Sequence, residues 1–380
     1  MLVSVLSHYL ENKRIVSEEH ARAAAKLVLH WLFEVKKVPK AVKVSAFRRD
    51  WQEEFVVWSA AEKGHSSATI SRNLSVVSAA VKFATKEQAV RDPDGNRRNV
   101  QLLSSAPQIR FEPRWIVETA RENNLAVDMP RRADWVPTYE EVASFIDAIR
   151  AEHVFRFVIL ALNTWARRET IEELDLSKQV SLRNGLVDLN EPGRLQTHKR
   201  RPIIRLTDNL RAWMPAWEEA DKALAKSLRE EGRPVEFKAG RPLIYRGQGA
   251  GVIKKAMQRT NARWMLAEAG TDEKEIRRLT RKENNKELTA AVNQLVEAGG
   301  HRITSRTFRS FMATRVRMVP GIRVDREQRQ LWLGHLQQDT TAHYEIVDSE
   351  YLREAAAATD AIIREIDRHC ERSLWPETAS

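Results

Sequence analysis

Helical periodicity runs through most of this chain and is interrupted by one β-like stretch. In residues 17–36 and 66–86, apolar side chains recur every three or four positions, which is typical of amphipathic helices. The β-like stretch consists of residues 186–189, a proline-glycine turn at 192–193, and residues 203–206. Beyond it the pattern is again mostly helical. The sequence therefore predicts a mainly α fold with a small antiparallel β-sheet.

A break in the pattern divides the chain into two domains. Residues 104–137 contain several prolines and mixed charge, and a helix start follows, because Thr138 and Glu141 have the spacing of a capping box. We predict a helical N-terminal domain over 1–130, a linker over 131–137 and a second domain over 138–380.

The chain is basic, with 63 Lys and Arg against 52 Asp and Glu and a formal net charge of +11. Such a balance favours a polyanionic partner such as nucleic acid, although a solvated basic surface gives the same count. Arg72 and Lys82, on the helix predicted at 66–86, could follow a DNA backbone or form a solvated helix face. The charged run 273–287 fits a solvated helical insertion better than a contact surface.

Cysteine and hydropathy limit the class of protein. Cys370 is the single cysteine, so neither an intrachain disulfide nor a cysteine-based zinc site is expected. No apolar run reaches the roughly 18 residues of a membrane span. The N-terminus has the pattern of a helix and lacks that of a signal peptide. These features predict a cytoplasmic protein.

Four segments carry residues suited to phosphate chemistry. In residues 331–344, Tyr344 follows Leu-Gly-His, and therefore His335, by nine positions. The upstream segments are 306–314 with Arg306 and Arg309, 163–174 with Arg167, and 196–206 with Lys199.

In this order the segments resemble the catalytic domain of the tyrosine recombinase, or phage integrase, family. The likeness covers roughly residues 138–360 and rests on three boxes. Residues 164–167 match the first arginine box, residues 306–314 match the second, and Leu-Gly-His at 333–335 with Tyr344 matches the third at the family's spacing. The fold that the resemblance implies is a two-domain, C-shaped clamp on DNA.

The resemblance also implies a reaction. Tyr344 would cut one DNA strand and form a 3′-phosphotyrosine, while Arg167 and Arg309 grip the phosphate oxygens. Lys199 would protonate the departing 5′-oxygen, and His335 would assist by hydrogen bonding or proton transfer. Because the phosphotyrosine preserves the bond energy, no cofactor, ATP or metal is expected.

Three residues depart from the family's pattern. Trp165 stands where the family has glycine, and Thr170 stands where it commonly has an acidic residue. Arg306 stands where it usually has histidine; arginine stays protonated and cannot act as a base at neutral pH, but it could still contact phosphate.

Other roles stay open for several candidates. An inward-pointing Arg167 needs an anion, which could be a phosphate or the carboxylate of Glu172 or Glu173. Arg168 replaces it if the register slips by one.

The basic turn and the histidine also have second interpretations. Lys199, Arg200 and Arg201 could form a basic turn facing DNA. His335, beside a glycine, could simply cap a helix.

The partner implied is double-stranded DNA, bound by a homo-tetramer on two sites, with an accessory DNA-bending or directionality factor. The helix predicted at 350–369 could dock into a neighbouring protomer or pack on its own domain. We therefore predict a nucleoid-associated, site-specific recombinase. The alternatives are a non-catalytic DNA-binding protein of the same fold and a type IB topoisomerase-like enzyme.

Overall fold

The chain forms two compact units, Met1–Asp134 and Trp135–Ser380, which we call the N-terminal and C-terminal units. The computed structural model describes residues 1–13, 18–91, 97–129, 135–196, 200–335 and 350–376. The division between the units falls inside the predicted linker. Most of the described residues are helical and the sheets are small and antiparallel, which confirms the predicted fold class.

The N-terminal unit consists of helices and one β-hairpin. Its helices are α1 (Leu2–Asn12), α2 (Glu18–His30), α3 (Arg49–Ala61), α4 (Ser67–Ala84) and α5 (Pro113–Glu122), with a π-helical turn at Trp31–Val35 and a 3-10 turn at Val44–Ala46. Strands β1 (Gln88–Arg91) and β2 (Arg97–Val100) pair antiparallel. We did not predict this hairpin. The sequence Asp-Pro-Asp-Gly-Asn at 92–96 is typical of a turn, and it lies outside the described residues.

Helix α4 is the centre of that unit and follows its sequence pattern. We expect one apolar stripe on this helix, and four of its members are completely buried while the fifth, Phe83, is half-buried; the four are Ile70, Leu74, Val77 and Ala80. Asn73, which we expected to point away, is also buried. The helix therefore buries a wider face than the stripe indicates.

The C-terminal unit contains the remaining helices and two small sheets. Its first helices are α6 (Tyr139–Asp147), α7 (Glu152–Thr164), α8 (Arg168–Glu172) and α9 (Leu176–Gln179), followed after the first sheet by α10 (Asp208–Glu230). The later helices are α11 (Lys254–Glu268), α12 (Glu273–Leu279), α13 (Asn285–Glu297), α14 (Ser305–Arg315), α15 (Arg326–Trp332) and α16 (Arg353–Asp367). None of the helices within the described ranges is long and apolar enough to cross a membrane.

Helix α7 forms the core of the C-terminal unit. Every residue from His153 to Thr164 is buried, because the helix is apolar on nearly all sides and α8, α10, α14 and α16 contact it. The predicted capping box is present at α6, where Thr138 and Glu141 bond to each other's backbone N–H. These contacts fix the ends of α7 and α14, from which the candidate site is built.

The first sheet has three antiparallel strands in the order β3 (Val180–Ser181), β4 (Leu186–Asp188) and β5 (Ile203–Arg205). Strands β4 and β5 are the predicted pair, with Val187 opposite Ile204 and both buried. Strand β3 has two residues, too few for a periodic pattern. A second pair joins β6 (Ile244–Tyr245) to β7 (Gln248–Gly249).

Helix α16 packs on its own unit. The apolar face that we predicted is buried there, including Ile362 and Ile366. Asp360 accepts the backbone N–H groups of Asp208 and Asn209 at 2.9 and 3.0 Å, and so caps α10. The sequence left two roles open for this helix. The structure shows one of them, packing on its own domain.

The charged segment at 272–300 is helical, as expected, but one side of it is buried. Ile276 and Leu279 of α12, and Leu288 and Val292 of α13, join the core of the C-terminal unit. The segment, which we call the insertion, is therefore an integral part of the unit.

Candidate active site

Arg309 is held by two backbone carbonyls. Helix α14 begins at the capping box of Thr304 and Thr307, and its buried face positions Arg309 in its second turn. The two terminal nitrogens of Arg309 donate to the carbonyl oxygens of Trp165 and Leu333, each at 2.6 Å. Neither acceptor carries a charge, so the guanidinium keeps its full charge available for a ligand.

Trp165 provides one of these carbonyls from a left-handed backbone conformation. At φ 50° and ψ 23° it ends α7, and this conformation costs a non-glycine residue about 1–2 kcal/mol. Its buried ring lies 5.1 Å from that of Trp332, centre to centre. The geometry explains why glycine is usual here in the family that the sequence resembles: this chain adopts the turn with tryptophan and offsets the strain by packing.

Arg167 lies beside the carbonyl of Arg200. Its Nη1 donates to that oxygen at 3.2 Å. The two carboxylates considered as its partners are engaged elsewhere, since Glu172 accepts the N–H of Ile253 at 2.9 Å and Glu173 bonds to Arg201 at 2.6 Å. Within the described residues, Arg167 has no carboxylate partner.

Arg168, the alternative to Arg167, faces another way. Its guanidinium pairs with Glu169 at 3.2 Å and with Glu172 at 3.5 Å. It is therefore a structural ion-pair member, and Arg167 is the arginine that lies near Arg309.

His335 follows a helix end built around Gly334. Gly334 has φ 64°, and its N–H and that of His335 donate to the carbonyls of Leu331 and Gln330 at 2.9 Å each. A Cβ at Gly334 would lie 2.5 Å from the Arg200 carbonyl, so only glycine fits there. The backbone of His335 thus caps α15, while its imidazole is only partly shielded from solvent.

Arg167, Arg309 and His335 lie close enough together for positive charge on one to lower the pKa of another. We call these three residues the cation cluster. Burial, and then the charge of Arg167, lower the pKa of Arg309 to about 10. Burial, and then the charges of Arg309 and Arg167, lower the pKa of His335 below 6.5. At neutral pH Arg309 is still charged, and the lowered pKa of His335 favours its neutral form.

The cation cluster has the properties of an oxyanion site. Two guanidinium groups converge with an imidazole, and no carboxylate of the described residues pairs with either arginine. An entering anion would be bound by two charge-assisted donors in a partly desolvated place. Sequence reasoning missed the supporting roles of Trp332 and of the Leu333 carbonyl. The available signal is position, since Trp332 directly precedes Leu-Gly-His and Leu333 is its first residue.

The other candidate residues lie around this cluster. Arg306 is exposed one turn before Arg309, and its guanidinium has no hydrogen bond or ion pair within the described residues. Arg200 is exposed and contributes its carbonyl. Arg201 is buried in the ion pair with Glu173, a different contact from the DNA-facing one that we predicted. Arg72 and Lys82 are exposed on α4 of the N-terminal unit.

Lys199 and Tyr344 lie outside the described residues. Lys199 directly precedes Arg200, whose carbonyl contacts Arg167. The segment that contains Tyr344 is bounded by His335 and by Glu350, and Glu350 pairs with Arg205 on β5 at 2.5 Å.

Comparison with solved structures gives matches over nearly the whole chain. The Tn1549 transposon integrase, solved in complex with transposon right end DNA, is 14% identical over 93% of this chain and 97% of that chain, with a TM-score of 0.50. The XerH site-specific recombinase bound to difH substrate is 14% identical over 90% of this chain and 79% of that chain, with a TM-score of 0.44.

A third match is the XerA recombinase, 13% identical over 94% of this chain and 97% of that chain, with a TM-score of 0.34. No protein-family model and no curated protein matches the chain. At this level of identity, the likeness to the Tn1549 integrase establishes the fold. This chain therefore has the fold of a tyrosine recombinase.

Proposed function

We propose that this protein is a site-specific DNA recombinase that cleaves and rejoins DNA strands through a 3′-phosphotyrosine at Tyr344. The observation that supports this most strongly is the cation cluster. Arg167 and Arg309 bring two positive charges together on a fold of this class, and neither has a carboxylate among the described residues. A phosphodiester is an anion of matching charge and geometry.

In the proposed reaction the phenolic oxygen of Tyr344 attacks the phosphorus and displaces the 5′-oxygen of the next nucleotide. Arg167 and Arg309 hold the non-bridging oxygens, whose charge is greatest in the pentacoordinate transition state. Lys199 gives its proton to the 5′-oxygen. The phenolic proton of Tyr344 passes to solvent water in the forward step. In the reverse step a 5′-hydroxyl attacks the phosphotyrosine and returns its proton to Lys199, while the departing oxygen of Tyr344 takes a proton from water, so both steps balance.

His335 is proposed to donate a hydrogen bond to the phosphate as a neutral imidazole. Its lowered pKa keeps it neutral at neutral pH, so it does not add a third charge to the cluster. Arg306 stands at the outer edge of the site and is proposed to contact the phosphate or its neighbour as a fixed cation.

The partner proposed is double-stranded DNA, on which two sites are joined by a tetramer of this chain. The Tn1549 integrase and XerH structures contain their DNA, which supports the choice of ligand. Strand exchange requires four active sites and two duplexes. We propose that an accessory DNA-bending or directionality factor assists, and that the protein acts on the nucleoid. Because α16 uses its apolar face within its own unit, other surfaces must join the protomers.

Covalent capture in cells tests the proposal. Wild type and Tyr344→Phe are expressed, lysed in detergent, and the DNA that stays attached to protein is sequenced. We expect adducts with the wild type only, clustered at defined sites. Equal background recovery from both proteins would favour the non-catalytic DNA-binding alternative.

A further inference from the structure

A cationic groove lies beside the candidate site in the C-terminal unit. It has a volume of about 690 Å³ and is walled by α11, by helix α13 of the insertion and by the start of α14. Among the residues that the structure describes, no acidic side chain lines it. Its basic lining residues are Arg168, Lys254, Lys255, Arg259, Lys282 and Arg302.

Most of these cations have no counter-charge. In the part of the chain that the structure describes, neither Lys255 nor Arg259 nor Lys282 forms an ion pair. Arg302 donates to the amide oxygen of Asn293 at 2.9 Å, which leaves its charge uncompensated. Several like charges around one groove raise the local potential and attract a polyanion.

The insertion has two different surfaces. On the side away from the groove its arginines are paired: Arg277 with Glu273 at 2.9 Å, and Arg278 with Glu287 at 2.8 Å. Facing the groove, it presents a ladder of uncharged polar side chains spaced four residues apart on α13, namely Asn285, Thr289 and Asn293. The paired surface is a solvated face, as the sequence predicted, whereas the groove surface is suited to a ligand.

The groove opens next to the cation cluster. Thr304 and Ser305 line it, and Ser305 precedes Arg309 by four residues on α14. Four residues of helix correspond to a rise of about 6 Å. A DNA strand rises about 3.4 Å per nucleotide, so a backbone leaving the cation cluster reaches the groove within a few phosphates.

We propose that this groove holds the DNA backbone next to the cleaved phosphate, with the insertion as one wall. Its lysines and arginines contact phosphates, and the ladder on α13 supplies hydrogen bonds to phosphates and base edges. The proposal rests on the proposed function and adds to it a surface that sequence analysis assigned to solvent.

Salt-dependent binding of the full chain to a fluorescent random-sequence duplex tests this. The groove variant is Lys255→Gln/Lys282→Gln. The matched control is Lys222→Gln/Lys226→Gln, which removes the same charge from exposed, ion-paired positions on α10. Loss of two phosphate contacts should make the slope of log affinity against log salt shallower by about 2. At about 0.1 M salt this weakens binding on the order of 50-fold, while the control keeps the wild-type slope.

Two results would overturn the groove assignment: a wild-type slope in the groove variant, or an equal change in both variants. If either occurs while wild type still forms Tyr344-dependent adducts, only the groove proposal falls. If wild type does not bind duplex DNA, the proposed function falls with it.

Discussion

Two arginines of the C-terminal unit, Arg156 and Arg309, are both largely removed from water but are compensated in opposite ways. Arg156 on α7 contacts the carboxylates of Asp221 at 2.7 Å and Glu152 at 3.4 Å. Arg309 contacts two neutral carbonyls and faces Arg167. A buried cation that serves the fold is paired within the fold. The unpaired Arg309 indicates a charge kept for a ligand.

The largest effect that we expect is the loss of catalysis when Arg309 is removed. Arg309→Ala should lower the rate of DNA cleavage by at least about 10²–10³-fold, because it removes donors to the transition state. Its cost in stability should stay within about 1–3 kcal/mol, from two carbonyls that lose a donor. Single-turnover cleavage and urea unfolding measure the two quantities.

Arg156→Ala is the matched variant and should reverse the pattern. Leaving Asp221 buried without its partner should cost about 3–5 kcal/mol in the free energy of unfolding. At a temperature where the variant is folded, its cleavage rate should remain near that of the wild type. A large rate loss in folded Arg156→Ala would remove the distinction between the two arginines.

Trp165 should show the next largest effect on stability. Trp165→Gly relieves the left-handed strain but empties the space against Trp332, so we expect a net loss of about 2–4 kcal/mol. Because the Trp165 carbonyl positions Arg309, cleavage should also slow. Trp217→Ala, a buried tryptophan away from the cluster, should lose stability without that slowing.

Binding of a simple oxyanion tests, without DNA, whether the charge of Arg309 is available to a ligand. Sulfate should raise the melting temperature of the wild type at constant ionic strength, since an anion that binds only the folded state stabilises it. The rise should persist in Lys222→Gln and disappear in Arg309→Ala. Equal stabilisation of wild type and Arg309→Ala would show that the cluster is not the sulfate site.

The smallest expected effect concerns His335. Its folded pKa lies below its ordinary value of 6.5, so the unfolded state binds the proton more tightly. The contribution of His335 to the free energy of unfolding is therefore fully present above the unfolded pKa. It is lost as the pH falls from the unfolded pKa through the folded pKa. Proton NMR should find the lowered pKa and an upward shift when sulfate enters the cluster. An unchanged pKa on sulfate addition would contradict the proximity.

The elements and site residues that could be predicted from the sequence are those that apolar periodicity or motif spacing determines. Helix α4 and the β4–β5 pair could be predicted from their apolar patterns, and the start of α6 from its capping box. The identities of Arg167, Arg309 and His335 could be proposed from motif order. Their convergence could not, because it depends on carbonyls from Trp165, Arg200 and Leu333, and backbone groups leave no mark on composition.

The pattern of charges in the sequence did not show which charged side chains are exposed and which are buried. Arg200 and Arg201 are alike in sequence, yet one is exposed and the other is buried against Glu173. In the same way, the insertion looked uniformly solvated, because a sequence of alternating charge does not reveal which side of a helix faces a groove.

We propose above that the cation cluster holds a DNA phosphate for attack by Tyr344. The most direct test is mass spectrometry of protein–DNA adducts after nuclease digestion, for wild type and Arg309→Ala. We expect a nucleotide attached to Tyr344 in the wild type and its loss in the variant. A nucleotide on another residue, or an adduct that forms equally well without Arg309, would contradict it.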